Sequence, residues 1–118
     1  MLWRYPALVV TLLAGLSACG GGTTEPTDDG STRITLTSGL TFSPADLTID
    51  PGTTVRWVAS TSSFHTITPT NGQQAGVWAK ATTSSTGTVL THTFTTPGQV
   101  YNYFCEVHAG MTGVIRVR

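Results

Sequence analysis

Turn signals interrupt this chain too often for it to hold long elements. "SG" stands at 38–39, "DPG" at 50–52, "NG" at 71–72, "TG" at 86–87 and "PG" at 97–98. Glycine, proline and asparagine in these pairings bend the backbone, so whatever lies between them must be short. The intervening segments have strand character. "DLTI" alternates Leu47 and Ile49 with polar neighbours, and "TVRWVA" sets Val55 and Trp57 on one face against Arg56 on the other. "TGVIRVR" alternates Ile115 and Val117 with Arg116 and Arg118. "RITL", "HTIT", "VLTHTF" and "VYNYFC" complete the set, and no segment after residue 32 keeps a 3.6-residue period over ten residues. Seven or eight short strands in so small a unit predict an all-β fold, a two-sheet Greek-key β-sandwich. Tyr101, Tyr103, Phe104 and Trp57 read as its core. The polar stretch 69–87 resists assignment, except that Val77 and Trp78 are expected to dip back into the core.

The first residues read differently. "MLWRYPALVVTLLAGLSAC" has one positive charge at Arg4, an apolar run from Pro6 to Leu16, and small residues at its end. That run is shorter than the roughly 20 apolar residues a membrane span needs, and it suits the core of a secretory signal over residues 1–18. "LSAC" at 16–19 resembles the lipobox of bacterial lipoproteins, which implies that Cys19 is lipidated and becomes the new N-terminus. Acyl chains, at about 0.8 kcal/mol per buried CH₂, would anchor the protein to a membrane. "GGGTTEPTDDGST" follows without an apolar residue, so 19–32 is expected to be a lipidated Cys and flexible linker reaching about 20 Å. The folded domain is expected to be 33–118, exported to the periplasm or another extracytoplasmic face.

Charge removes several functional classes. Six basic and six acidic residues cancel, leaving no basic stripe for nucleic acid and no acidic tail. The folded unit alone is mildly basic through Arg33, Arg56, Lys80, Arg116 and Arg118.

One heptapeptide carries chemistry. "CEVHAGM" gathers Cys105, His108 and Met111 in a chain that has only two Cys, three His and two Met. With Cys19 in the lipobox, Cys105 is a single thiol in an oxidising compartment, a hazard unless something occupies it. It ends one predicted strand, and the next starts near Thr112, so the cluster falls on a loop at one end of the sandwich. Structural zinc sites prefer more Cys and do not use Met, and calcium needs carboxylates that are scarce here. A trigonal His₂Cys set with a weak axial Met is the arrangement of a blue-copper site. It needs a second His. His65, opening "HTIT", is the candidate, on a strand expected to lie beside the last one. His92 lies within "TVLTHTF", along a strand and not at its loop end.

"FSPADLTIDPGTTVRWV", "HTIT", "FTTPGQVYNYFC" and "CEVHAGMTGVIRV" together resemble the cupredoxins, the small blue copper proteins. The resemblance covers residues 41–117. It implies one copper per chain held by His65, Cys105, His108 and Met111, with a C-x₂-H-x₂-M loop similar to the short ligand loop of amicyanin. Two positions depart from many relatives, Ala59 and Thr66, where asparagine is common; the asparagine after the first His braces the two ligand segments, a task left here to the Thr66 hydroxyl. The resemblance further implies a monomeric single-electron carrier, not an enzyme, that meets a redox protein partner near His108, where Ala109 and Gly110 allow close approach. Copper storage, delivery or sequestration is the alternative that uses the same ligands. A multicopper enzyme would need further His ligands that this chain lacks, and a cysteine hydrolase would draw its Cys and His from distant segments.

Overall fold

Period-two burial is the physical basis of the architecture. In the computed structural model, which describes residues 31–118, nine strands form and none of the described residues is helical. They are β1 (Thr32–Leu36), β2 (Phe42–Ser43), β3 (Asp46–Ile49), β4 (Thr53–Ala59), β5 (His65–Pro69), β6 (Ala81–Thr83), β7 (Gly87–Phe94), β8 (Val100–Phe104) and β9 (Thr112–Val117). One sheet has the order β2-β1-β4-β7, the other β3-β9-β8-β5-β6. The expected signal segment, Cys19 and the expected linker through residue 30 lie outside the described residues.

Alternation decides which side chains meet between the sheets. Leu47 and Ile49 from β3, Val55 and Trp57 from β4, Tyr101 and Tyr103 from β8, and Ile115 and Val117 from β9 are all buried. Each such large apolar side chain contributes about 1.5–3 kcal/mol on burial. Phe104 departs from the expected core: it alternates with Tyr103, faces outward and is half-buried. A register shift between Trp57 and Val58 against β7 lets Val58 and Ala59 be buried in succession where β4 runs towards the next loop.

The seven expected strands are all present, and two short ones bring the total to nine. β2 has two residues and β6 three, too few to display a period. The placement of "HTIT" also differs. β5 pairs antiparallel with β8, and β9 lies on the far side of β8. The His65 strand therefore neighbours the cysteine strand directly, because β9 is held by β8 on one edge and by parallel β3 on the other.

The stretch between β5 and β6 is tied down by side chains. Trp78 is buried, its indole N–H donates to the Ile67 carbonyl at 3.2 Å, and its ring lies 5.2 Å from that of Trp57. Val77 packs against the same cluster. His92 Nε2 lies 2.6 Å from the Gly76 carbonyl, and the Tyr101 hydroxyl donates to the Ala75 carbonyl at 2.7 Å. Since a carbonyl can only accept, the His92 proton sits on Nε2.

Candidate metal centre

Four loops close one end of the sandwich, and the chemistry-bearing side chains gather beneath them. β5 begins there with His65, while β8 ends there and hands the chain to Cys105. The turn after Cys105 is closed by the Cys105 amide on the Met111 carbonyl at 2.9 Å and the Met111 amide on the His108 carbonyl at 3.2 Å. Gly110 takes φ +82° in that turn, a conformation a side chain would resist. Backbone bonds alone therefore fold C-x₂-H-x₂-M into a cup.

Cys105 Sγ and His108 Nδ1 stand 3.4 Å apart, and the His65 and His108 rings have centroids 4.9 Å apart. One donor atom from each of His65, Cys105 and His108 lies within 4.8 Å of the others. His65, Cys105 and Met111 are buried, whereas His108 is partly exposed. The structure thus brings three of the four expected ligands to one point and buries Met111 within the loop that carries two of them. His92 stands apart, engaged with Gly76 as described.

His65 carries the strongest sign that something belongs in the cup. Its side chain is 0 % exposed, and neither ring nitrogen has a hydrogen-bond partner. An unsatisfied buried polar group costs about 1–3 kcal/mol, and native structures rarely leave one without cause. Burial, and secondarily the neighbouring His108, hold the His65 pKa below its ordinary value. The imidazole is therefore kept neutral, the form in which a ring nitrogen can ligate a metal. Two imidazoles and a thiol, with a methionine buried in the same loop, fit a soft copper ion better than zinc or calcium.

Thr66 ties the two ligand segments together. Its backbone N–H points to Cys105 Sγ at 3.4 Å, its hydroxyl accepts the Glu106 N–H at 2.8 Å, and Thr68 donates a further bond to that hydroxyl at 3.0 Å. One residue thus grips both the sulfur and the peptide after it, which is the bracing expected of its hydroxyl. Ala59 contributes apolar packing only. Thr66→Val keeps the shape and removes the acceptor, so the metal-free protein is expected to lose about 1–2 kcal/mol in urea denaturation, with Thr66→Ser restoring most of it. An unchanged midpoint for Thr66→Val would mean that the Glu106 amide is not held there.

Sequence reading missed the Lys80–Glu106 ion pair, at 3.2 Å, beside Cys105. Twenty-six positions separate the two residues, and nothing local marks them as neighbours.

A family model described as copper binding proteins of the plastocyanin/azurin family matches residues 29–118. The chain belongs to that family. It is 32 % identical to a chloroplastic plastocyanin of Tetradesmus obliquus over 118 residues, covering 92 % of this chain and 81 % of the plastocyanin. Among solved structures, a purple cupredoxin from Nitrosopumilus maritimus is similar with a TM-score of 0.59 at 27 % identity, over 73 % of this chain and 98 % of that one. An amicyanin mutant in its Cu(I) form shares the fold with a TM-score of 0.66 at 20 % identity, over 78 % of this chain and 86 % of the amicyanin. The cofactor of this cupredoxin is therefore copper, one per chain, and His65, Cys105 and His108 supply a site for it.

Proposed function

We propose that this cupredoxin is a membrane-tethered carrier that passes single electrons between redox partners. The observation that carries the reading is His65, buried with both nitrogens unpartnered beside a thiol and a second imidazole. When bound, copper supplies a one-electron Cu(I)/Cu(II) couple. The protein's part is to keep the donors in place. His65 and Cys105 sit at the ends of adjacent strands, Thr66 links them, and two backbone bonds close the loop that carries His108 and Met111. Donors held this way need little rearrangement when the charge at their centre changes. His108 is the candidate ligand that reaches solvent, so a partner approaches there. Members of this family are electron carriers and not enzymes.

We propose that His65, Cys105 and His108 would hold the copper, with Met111 as a further, weaker sulfur donor. The proposal also includes export through a signal peptide at 1–18, lipidation of Cys19, and a monomeric domain at the extracytoplasmic membrane face. The "LSAC" motif and the apolar run before it support that part. Titration with Cu(II), followed by visible absorption, tests the copper site. An intense thiolate-to-Cu(II) band saturating at one copper per chain is expected, and a folded protein without that band would end the reading. Mass spectrometry of the protein purified from its membrane tests the tether: acylated Cys19 is expected at the N-terminus, and an unmodified N-terminus would refute it.

A further inference from the structure

Two arginines stand together on a sheet that has no acid of its own. β1 and β4 run parallel with Arg33 opposite Arg56, one position before the buried pair Ile34 and Trp57. Alternation therefore puts both side chains on the outer face of the sheet β2-β1-β4-β7, with Arg33 exposed and Arg56 partly buried. On its other side Arg56 is opposite Thr91 of β7. The four strands contain no Asp or Glu. Like charges in register on neighbouring strands repel, so this face favours an anion.

The acidic residues among those described are engaged elsewhere. Asp46 holds Arg116 at 3.2 Å, Asp50 holds Arg118 at 2.9 Å and Glu106 holds Lys80 at 3.2 Å. The remaining acids of the protein, Glu25, Asp28 and Asp29, fall together just ahead of β1. Asp29 precedes Arg33 by four positions, a span of at most about 14 Å in extended chain. Gly30 lies between them, a residue type that lets the chain reverse.

Two further features suit a returning segment. β2 pairs with β1 only at Thr35 and Leu36, so among the described residues no strand covers the β1 edge beside Arg33. Ser31 is 3 % exposed where the chain enters β1, so the approach to that strand is covered by protein.

We propose that the acidic run 25–29 folds back at Gly30 and docks on this face, with the Asp28 and Asp29 carboxylates on the Arg33 and Arg56 guanidinium groups, as an electrostatic latch that salt releases. An exposed ion pair is worth little alone. Here the partners are a few residues apart in one chain, which gives a high effective concentration, and the partial burial of Arg56 limits screening. The consequence for function rests on the tethered-carrier reading. β1 starts where Thr32 pairs with Val55 and ends where Leu36 pairs with Ala59, the residue that leads into the loop before His65. The chain thus joins the domain at the end opposite the copper cup. Latching shortens the free tether from about 20 Å to about 12 Å and turns the copper end away from the anchor.

Hydrogen exchange of the arginine Nε–H groups, followed by NMR in the full chain without copper or lipid, tests the latch. Asp28→Asn combined with Asp29→Asn lies ahead of the strands and leaves the fold intact. This variant should exchange about fivefold faster than wild type at Arg33 and Arg56 in about 20 mM salt, and match it near about 500 mM. Arg116 and Arg118 should not change. Reversing all four charges, with Asp28→Arg, Asp29→Arg, Arg33→Asp and Arg56→Asp, should restore the amide protection at positions 28 and 29 that either half alone removes. Equal exchange at Arg33 and Arg56 in wild type and the asparagine variant would sink the latch. So would binding of the wild-type chain to phosphatidylglycerol vesicles that Arg33→Gln with Arg56→Gln abolishes, because the face would then belong to an anionic membrane. An unmodified Cys19 would defeat the tether reading, and a missing thiolate-to-Cu(II) band the carrier reading; the exchange comparison would decide the latch in either case.

Discussion

His65→Leu is expected to make the metal-free protein more stable while removing its visible copper band. The imidazole is fully buried with both nitrogens unpartnered, and an apolar side chain of similar size carries no such penalty. A gain of about 1–3 kcal/mol in urea denaturation follows from removing an unsatisfied buried polar group. The pH dependence shares this origin. Burial lowers the folded-state pKa of His65, so the unfolded chain takes up a proton near its ordinary pKa of about 6.5 that the folded protein resists. Stability that is fully present above that pH is then lost as pH falls from there towards the lowered folded-state value. His65→Leu should flatten this slope. If the variant proves less stable by more than about 1 kcal/mol, the His65 nitrogens are satisfied after all, and the site is not strained towards a ligand.

Gly113→Ala should be among the most damaging single-methyl changes the domain can suffer. Gly113 sits opposite Tyr103 across β8 and β9, and a Cβ there would run into the Tyr103 ring. That ring cannot retreat. Phe42 packs on it at 4.7 Å, Trp78 at 5.6 Å and Trp57 at 5.8 Å. Overpacking typically costs 1–3 kcal/mol, and a pinned aromatic ring puts this case at about 3 kcal/mol or more, a large share of the 5–15 kcal/mol typical of domains. Gly72→Ala is the matched control. Its added methyl meets nothing within 4 Å, and its φ is not in the left-handed region, so its urea midpoint should move by less than about 0.5 kcal/mol. Equal midpoints for the two variants would show that β9 can shift away from Tyr103. Tyr103 is two residues from Cys105, and Gly113 is two from Met111. Gly113→Ala protein that still folds should therefore also bind copper with an altered absorption band.

Much of the centre was legible because its spacing is local. Cys105, His108 and Met111 lie within seven residues, and a turn with glycine at position 110 folds such a stretch into a cup wherever it stands. The strands of four or more residues could likewise be read from their alternation and the turns between them. β2 and β6 were not legible, since two or three residues show no period. Phe104 was misassigned to the core because its neighbours Tyr103 and Cys105 are equally apolar; only the pleat distinguishes the faces.

Partners distant in sequence were another matter. "HTIT" reads as a strand by itself, but whether it borders β8 or β9 depends on which edges are already taken. The Lys80–Glu106 pair and the seating of Trp78 under Ile67 likewise join segments with no shared local signal. The sequence by itself determined an all-β chain with a soft donor set at the end of a strand, because alternation and short turns are local properties of the backbone. Only the tertiary structure decided that His65 reaches that donor set from a neighbouring strand, is sealed from water, and is left without a hydrogen bond. Burial and satisfaction depend on every segment packed around a group, and no single stretch of chain contains that information.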